Sequence, residues 1–157
     1  MNDAAVVAIF LHRQSVLPMD SVESVRVQAG ARLEGDAYFR GPGSTADRSG
    51  GDREVTLIES EAVEAATRES GVPLTTAESR RNLVTRGVRL NPLVGQEFVV
   101  GGVRLRGIRL CHPCDHLESL TRPGVLKSLK NRGGLRAEVV EGGTIRVGDR
   151  VAVAPGA

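Results

Sequence analysis

The chain has 157 residues, a formal net charge of +2 and an aromatic content of 3% with no tryptophan. The length predicts a single domain, residues 1–157, that is long enough to bury a hydrophobic core. The balanced charge gives no general preference for polyanions, and the scarcity of aromatic rings argues against the stacking surfaces that bind single-stranded nucleic acid. We therefore expect no nucleic-acid partner.

Cysteine content and hydropathy indicate the compartment. The chain contains two cysteines without the dense spacing of a disulfide-rich domain, which fits a reducing compartment. Residues 1–20 have neither a basic segment with a cleavage site nor an apolar run near the roughly 18 residues that a membrane span needs. The sequence predicts a cytoplasmic protein that does not associate with a membrane.

The first part of the chain predicts short strands and one long loop. The apolar run at 4–11 and the imperfect alternation at 22–28 are both typical of strands. Residues 35–51 contain five glycines among small polar side chains. This composition predicts a loop whose length is typical of functional or mobile loops.

The next elements in the chain are a strand, a helix and another strand. The strand is predicted at 54–58. We expect Ser60 to cap the helix at its start, and Gly71 followed by Pro73 to end it. Residues 82–88 have the pattern of the second strand.

The second half of the chain predicts a hairpin, an interrupted helix and three final strands. The Gly101-Gly102 pair separates alternating runs at 98–100 and 103–110, as in a tight β-hairpin. Residues 117–130 have an interrupted helical pattern, and the glycines within 142–149 predict a hairpin that closes a β-barrel. The final strands are predicted at 137–140, 144–147 and 151–153.

These elements together indicate the fold class. They amount to about eight or nine short strands and about two or three helices, with turn signals at the spacing of an all-β barrel. The sequence contains neither an internal repeat nor a linker that would divide it. We therefore predict a mostly-β domain with a few helices at its periphery.

The segment 110–116 gathers side chains that can carry chemistry. It holds both cysteines, Cys111 and Cys114, and two of the three histidines, His112 and His116. Thiolates and imidazoles bind zinc, iron, copper and molybdenum, and thiolates are also strong nucleophiles. A structural zinc site usually needs two cysteine pairs, and a thioredoxin-like dithiol needs a βαβ setting that this pattern lacks. These features count against both alternatives without excluding them.

The two cysteines differ in their surroundings. Cys111 continues the apolar run at 108–110, which fits a small buried side chain as well as a functional one. Cys114 follows Pro113 and lies outside the predicted strand. We therefore expect Cys114 to be the functional thiol.

Two other segments carry groups that suit anions. Arg80 and Arg81 offer the forked donors that match phosphate oxygens, and Asn82 can donate and accept hydrogen bonds beside them. Gly35 allows a ligand to approach the backbone, and Asp36 could orient that ligand or simply close a turn. Taken alone, each segment is more often a solvated loop than a binding site.

A wider resemblance rests on the order of four segments, 32–36, 80–84, 110–114 and 142–149. Together they resemble the MOSC domain family, which is related to the C-terminal domain of molybdenum cofactor sulfurases. The family pattern is a Gly-x-x-Gly-Asp element, an Arg-x-Asn element, a cysteine after a strand, and a closing Gly-Gly-x-Ile-x-x-Gly-Asp. The resemblance covers about residues 6–153.

The resemblance implies a mostly-β fold around a distorted barrel and a molybdenum cofactor, Mo-molybdopterin. In the family, the cysteine at the position of Cys114 ligates molybdenum or carries sulfur as a persulfide, and pyridoxal phosphate binding is a term used for the family as a whole. Arg32 replaces the first glycine of the family's first element, and Tyr38 replaces a frequent histidine. The residues that we expect at the cofactor, from the family motifs or from their charge, are Arg80, Arg81, Asn82, Gly35, Asp36, Arg53 and His112.

Three functional hypotheses follow from this resemblance and its alternatives. The first is an oxidoreductase that reduces N-hydroxylated compounds, with Cys114 on the metal. The second is a module that carries the cofactor or a persulfide to another protein, and the third is a zinc-stabilised or basic-loop interaction domain. The sequence contains no flavin or iron–sulfur signature, so the expected partners are the pterin cofactor and a separate reductase or sulfur-donor protein. The oligomeric state is left open.

Overall fold

The computed structural model describes residues 4–12, 18–29, 33–34, 55–113 and 115–153. Ten strands and three α-helices lie within these ranges, and none of these helices is long and apolar enough to cross a membrane. The strands are β1 (Ala5–Leu11), β2 (Asp20–Val22), β3 (Ser24–Val27), β4 (Val55–Glu59), β5 (Leu83–Arg86), β6 (Glu97–Val100), β7 (Val103–Leu110), β8 (Leu135–Glu141), β9 (Gly143–Arg146) and β10 (Val151–Val153). The helices are α1 (Ser60–Ser70), α2 (Asp115–Leu120) and α3 (Val125–Ser128), with short 3₁₀ helices at Ala77–Ser79 and Asn91–Leu93.

Eight of the strands form one mixed sheet in the order β10-β6-β7-β8-β4-β5-β1-β2, and β3 pairs with β9 in a separate two-stranded sheet. Strands β4 and β5 are parallel, with Leu57 opposite Leu83, and α1 lies in the connection between them. Parallel neighbours need such a crossover because a tight hairpin cannot join them. The other neighbours in this order are antiparallel. This architecture confirms the predicted mostly-β class with few helices.

Strand β4 is buried on both faces of the large sheet. Leu57 belongs to an apolar cluster with side chains of β1 and of β6 to β8, whereas Ile58 packs with Val63 of α1 and with Leu129. Successive strand residues point to opposite faces, so a strand that is covered on both sides is apolar throughout. The buried run of β4 therefore places this strand between the two clusters.

Helix α1 packs on the sheet through a narrow apolar side. It ends at Gly71, whose φ of 73° is the left-handed conformation that glycine adopts readily, as the sequence predicts. The predicted cap is wrong, because Glu59 is the N-cap residue and Ser60 is already helical. The Glu59 carboxylate instead accepts a hydrogen bond from the backbone N–H of Leu90 (3.0 Å). The buried residues of α1 are Ser60, Ala62, Val63 and Ala66.

The predicted hairpin is confirmed, and the strand predicted at 22–28 needs a correction. Strands β6 and β7 pair through the Gly101-Gly102 turn, with Val100 opposite Val103. Residues 22–28 do not form one strand, because a bend at Glu23 separates β2 from β3. Strand β2 pairs with β1 in the large sheet, whereas β3 pairs with β9.

The segment 142–149 also differs from the prediction. It does not form a hairpin, since β9 pairs with β3 and β10 pairs with β6. A Cβ at Gly142 would lie 2.4 Å from the carbonyl oxygen of Val27, so glycine lets the chain cross close to β3 at this point. The pairing partner comes from a distant part of the chain, which local turn signals cannot reveal.

The first and last strands of the chain approach each other at their starts. An isolated antiparallel bridge joins Ala5 to Arg150, and the backbone N–H of Val151 donates to the carbonyl oxygen of Ala4 (2.9 Å). These contacts link the start of β1 to the start of β10. A closed barrel is not found among the residues that the structure describes, so the expected barrel stays a prediction.

Candidate functional site

The cysteine segment follows directly on β7. The backbone N–H of Cys111 donates to the carbonyl oxygen of Gly134 (2.8 Å), and the Cys111 residue is only 1% exposed. Cys111 is therefore a buried packing residue. The predicted functional thiol, Cys114, lies outside the described residues, between Pro113 and the start of α2 at Asp115.

Gly133 lies against the cysteine segment with no room for a side chain. A Cβ at this position would lie 2.4 Å from the carbonyl oxygen of Cys111 and 2.8 Å from Cδ of Pro113. Both distances are shorter than the contacts that Cβ atoms make in proteins, and the nearer of the two atoms belongs to the backbone. Lack of space therefore explains the glycine, and the close fit sets the path of the chain that leads into Cys114.

Arg81 joins the arginine motif to the cysteine segment. Its Nε donates to the carbonyl oxygen of Gly133 (2.7 Å), and Nη2 donates a longer bond to the carbonyl oxygen of Cys111 (3.5 Å). The residue is 8% exposed, so the guanidinium is held in the interior against backbone carbonyls. Hydrogen bonds to a charged donor are among the stronger ones in proteins. Arg81 thus braces the backbone three residues before Cys114.

Asn82 joins three strands in the interior. Its Oδ1 accepts hydrogen bonds from the backbone N–H and from Oγ1 of Thr56 (3.3 and 3.2 Å), and Nδ2 donates to the carbonyl oxygen of Phe10 (3.0 Å). The residue is fully buried, at 0% exposure. Buried polar groups of this kind need such partners, since an unsatisfied one is costly. Asn82 therefore links β1 and β4 at the start of β5, and its contact with a cofactor stays a prediction.

Arg80 takes a different direction from the two residues that follow it. Its φ is 60° and its ψ is 32°, a left-handed conformation that costs a non-glycine residue about 1 kcal/mol or more. Its side chain lines a depression of about 250 Å³ with Met19, Glu78 and Leu120 among its neighbours. The structure therefore separates the motif: Arg81 and Asn82 lie in the interior, and Arg80 lies at the surface.

An ion pair lies beside Arg80. Arg122 donates to both carboxylate oxygens of Glu78 (3.1 and 2.7 Å). The hydrogen bond from Arg122 lowers the pKa of Glu78 from its ordinary value, and partial burial opposes this effect. Glu78 also accepts a hydrogen bond from the backbone of Thr75 (3.0 Å), so the pair connects the 3₁₀ helix to the chain after α2.

His112 is exposed and lines two depressions, one of which also contains two arginines and the other two lysines. The first, which we call the arginine groove, has a volume of about 560 Å³. The second, the lysine groove, has a volume of about 260 Å³. The arginine groove is lined by Asn91, Val94, Arg109, Leu110, His112 and Arg136. The lysine groove is lined by His112, Pro113, Leu126, Lys127, Lys130 and Asn131.

Four predicted site residues, Gly35, Asp36, Arg53 and Cys114, lie outside the described residues, so their roles stay predictions. Within the described ranges, no group of three or more histidine, cysteine, aspartate or glutamate side chains could hold a metal ion. The zinc alternative stays open because it would require Cys114.

Of the basic side chains that line the two grooves, only His112 was predicted from the sequence. Arg109 and Arg136 lie on neighbouring strands, opposite each other, and are separated in sequence by the chain that includes α2 and α3. Their proximity depends on the β7–β8 register, for which the sequence carries no local signal. The contact between Gly133 and the carbonyl oxygen of Cys111 likewise has no local signal in the sequence.

The sequence profile of the MOSC domain matches residues 35–152. This chain belongs to the MOSC domain family. The match confirms the predicted resemblance to this family. The family is linked to molybdenum cofactor binding. No curated protein matches the sequence of this MOSC domain.

Solved structures share the fold of this MOSC domain. The YUAD protein from Bacillus subtilis superposes with a TM-score of 0.76 at 15% identity, over 98% of each chain. YiiM from Geobacillus stearothermophilus gives a TM-score of 0.71 at 15% identity, over 96% of this chain and 75% of its own. YiiM from Escherichia coli gives 0.66 at 16% identity, over 97% and 70%. At such low identity, these likenesses establish the fold and not the activity.

Proposed function

We propose that this MOSC domain binds the molybdenum–pterin cofactor beside the cysteine segment, with Cys114 as the thiolate that ligates the metal or carries its sulfur. The observation that carries the proposal is the pair of hydrogen bonds that the buried Arg81 guanidinium donates. It links the arginine motif to the carbonyl oxygens of Cys111 and Gly133. The arginine motif and the cysteine segment therefore lie next to each other in the fold, which supports the proposal.

The chemistry of the neighbouring side chains fits such a cofactor. The pterin phosphate is an anion, and His112, Lys127 and Lys130 surround the lysine groove next to Pro113. Lysine and arginine are the side chains that bind phosphate groups in proteins. Nearby positive charge also favours the thiolate form of a cysteine, which is the form that binds metals and attacks sulfur.

The cofactor, when bound, would supply the redox or sulfur chemistry, and the protein's own residues would hold and orient it. Arg81 fixes the backbone that leads into Cys114 from within the fold. The lysines of the groove would bind the anionic group at the surface, with Arg80 at the depression next to α2 as a further cation. The predicted contributions of Gly35, Asp36 and Arg53 belong to this proposal as well.

Two forms of the proposal differ in outcome. As an oxidoreductase, the domain would reduce an N-hydroxylated compound with two electrons and two protons and release water, with a separate reductase as the electron source. As a carrier, it would hold the cofactor or a persulfide without turnover and deliver it to another protein. Both forms of the proposal place the protein in the cytoplasm, in keeping with two cysteines that lack a disulfide-rich spacing.

Metal analysis of protein from a host that makes the cofactor tests the proposal. We expect molybdenum and pterin in stoichiometric amounts, lost in Cys114→Ser and retained in Cys111→Ala. The second variant is the matched control, because Cys111 is buried and lies only three residues away. Zinc in place of molybdenum, or equal molybdenum in Cys114→Ser and the wild type, would contradict the proposal.

Two further measurements separate the enzyme from the carrier. Turnover of an N-hydroxylated substrate with a reductant, absent in Cys114→Ala, identifies the enzyme. A mass increase of one sulfur atom on Cys114 without turnover identifies the carrier. Both measurements use the complete chain.

A further inference from the structure

Helix α2 begins directly after Cys114 and has only six residues. At about 1.5 Å per residue it is about 9 Å long, and a helix of this length is not stable in isolation. Its position therefore depends on contacts with the rest of the fold. One of these contacts is the burial of Leu117, which packs in the same apolar cluster as Val63 and Leu129. A second contact lies at the far end of the helix.

The contact at the far end of α2 is made by Arg122, which follows this helix by two residues. Its guanidinium donates to both carboxylate oxygens of Glu78 (3.1 and 2.7 Å) and to the carbonyl oxygen of Pro73. Paired hydrogen bonds of this kind fix direction as well as distance. The side chains of Arg122 and Glu78 are 34% and 32% exposed, so the ion pair is partly shielded from solvent.

Both partners of this ion pair stand on backbone that other hydrogen bonds fix. The Glu78 carboxylate accepts from the backbone N–H of Thr75 (3.0 Å), and the N–H of Glu78 donates to Oγ1 of Thr75 (3.2 Å). This reciprocal arrangement is that of a capping box. On the other side, Glu118 of α2 accepts from the backbone N–H of Leu126 (2.9 Å), across the turn that carries Arg122. The ion pair therefore joins two fixed parts of the chain.

The short segment that contains Glu78 and Arg81 contacts the chain on both sides of Cys114. Arg81 donates to the carbonyl oxygen of Cys111, which precedes Cys114, and Glu78 binds Arg122, which follows α2. We propose that Glu78 and Arg122 are positioning residues for Cys114. Their ion pair fixes the end of α2 and, through this short helix, the backbone that leads out of Cys114. The inference rests on the proposed function only for the role of the thiolate.

A second ion pair of the same chemistry provides a matched control. Arg132 donates to Glu69 (3.1 Å), and this pair joins α1 to the chain after α3. Because it lies beyond α3, its loss should affect the stability of the fold and not the end of α2. The variants Glu78→Gln and Glu69→Gln therefore compare the loss of one arginine–glutamate pair at two places.

Hydrogen exchange and fluorine NMR of the cofactor-free full chain test the inference. We expect Glu78→Gln to speed exchange of the α2 amides by about two- to fivefold, because an ion pair of this exposure contributes about that factor to local opening. A trifluoromethyl label on Cys114, in a Cys111→Ala background, should give a narrower line in Glu78→Gln, since the label then moves more freely. Wild-type exchange and line width in Glu78→Gln would overturn the inference, and so would equal changes in Glu69→Gln.

A double variant separates the ion pair from its two side chains. If the pair carries the effect, Glu78→Gln combined with Arg122→Gln should exchange at the rate of Arg122→Gln alone, which also loses the hydrogen bond to Pro73. Effects of the two substitutions that add would overturn the inference, because they would show that the side chains act separately.

Cofactor retention distinguishes the positioning role from the proposed function. In protein from a host that makes the cofactor, we expect molybdenum to leave Glu78→Gln about two- to fivefold faster than the wild type during dialysis, and to leave Glu69→Gln at the wild-type rate. Loss of molybdenum at the wild-type rate from Glu78→Gln would overturn the positioning role. Absence of molybdenum from the wild type would contradict the proposed function, and the exchange and NMR results would still decide whether the ion pair holds the chain at Cys114.

Discussion

Substitution of Gly133 by alanine isolates the contact that shapes the cysteine segment. The new Cβ would lie 2.4 Å from the carbonyl oxygen of Cys111 and 2.8 Å from Cδ of Pro113. The nearer atom belongs to the backbone, so no side-chain rotation can relieve the contact. Either the cysteine segment or the chain at Gly133 must move, and the Arg81 hydrogen bond to the Gly133 carbonyl oxygen moves with it.

The magnitude follows from the cost of overpacking an interior. Forcing an extra methyl group into a packed site costs about 1–3 kcal/mol, and a contact with backbone lies toward the upper end of that range. Weakening of the Arg81 hydrogen bond adds about 1 kcal/mol. We therefore expect Gly133→Ala to lower the free energy of unfolding by about 2–4 kcal/mol, which corresponds to a fall of about 5–12 °C in the unfolding temperature for a domain of this size.

Urea denaturation and thiol alkylation of native protein measure the effect. In a Cys114→Ser background, Cys111 is the only thiol, and its burial should protect it from the reagent in the native state. We expect Gly133→Ala to speed alkylation of Cys111 as well as to lower stability. Gly102→Ala is the control, because a Cβ at Gly102 would meet nothing within 4 Å. Wild-type stability and wild-type protection of Cys111 in Gly133→Ala would refute the reasoning.

Two other substitutions address the interior and the surface. Asn82→Ala removes the buried hydrogen bonds that the Asn82 side chain makes with Thr56 and with the carbonyl oxygen of Phe10. The loss should cost about 2–4 kcal/mol in urea denaturation, and a cost below about 1 kcal/mol would show that these hydrogen bonds contribute little. Glu78→Gln removes the ion pair with Arg122. In the wild type, the hydrogen bond from Arg122 lowers the pKa of Glu78. The ion pair therefore stabilises the fold fully above the ordinary carboxylate pKa of 4.5, and this stabilisation is lost as the pH falls through the lowered pKa. Because the pair is partly exposed, we expect a loss of less than about 1 kcal/mol at pH 7, and this difference should disappear as the pH falls through the lowered pKa of Glu78. A difference that persists in acid would contradict this explanation.

Local signals in the sequence are sufficient for some elements of this fold. The β6–β7 hairpin is predictable because Gly101-Gly102 joins two alternating runs, and each strand is the neighbour of the other in the chain. The end of α1 at Gly71 is predictable for the same reason, since the cap involves only residues of the last turn. The pairing of β3 with β9 is not predictable in this way, because its strands are far apart in sequence and alternation alone does not identify a partner.

The candidate site also contains some features that local sequence signals predict and others that they do not. The apolar run that Cys111 continues allowed either a buried or a functional side chain, and the structure shows that Cys111 is buried. The inward direction of Arg81 does not follow from the sequence, because adjacent arginines are usually solvated. The left-handed conformation of Arg80 turns the backbone just before Arg81, and a non-glycine residue gives no warning of this conformation. The facing pair Arg109 and Arg136 depends on strand register, which only the assembled sheet defines.

The contact between Ala5 and Arg150 has a consequence for biosynthesis. Ala5 pairs with Arg86 of β5 on one side and with Arg150 on the other. The end of β1 pairs with β2 on this second side, but the start of the strand at Ala5 stays unpaired there until residue 150 has emerged from the ribosome. Pairings over such sequence separations form slowly, because nearly the whole chain must be enclosed as a loop. We therefore expect the first strand to complete its backbone hydrogen bonding late in translation, which makes its open edge a target for chaperones that bind exposed strands.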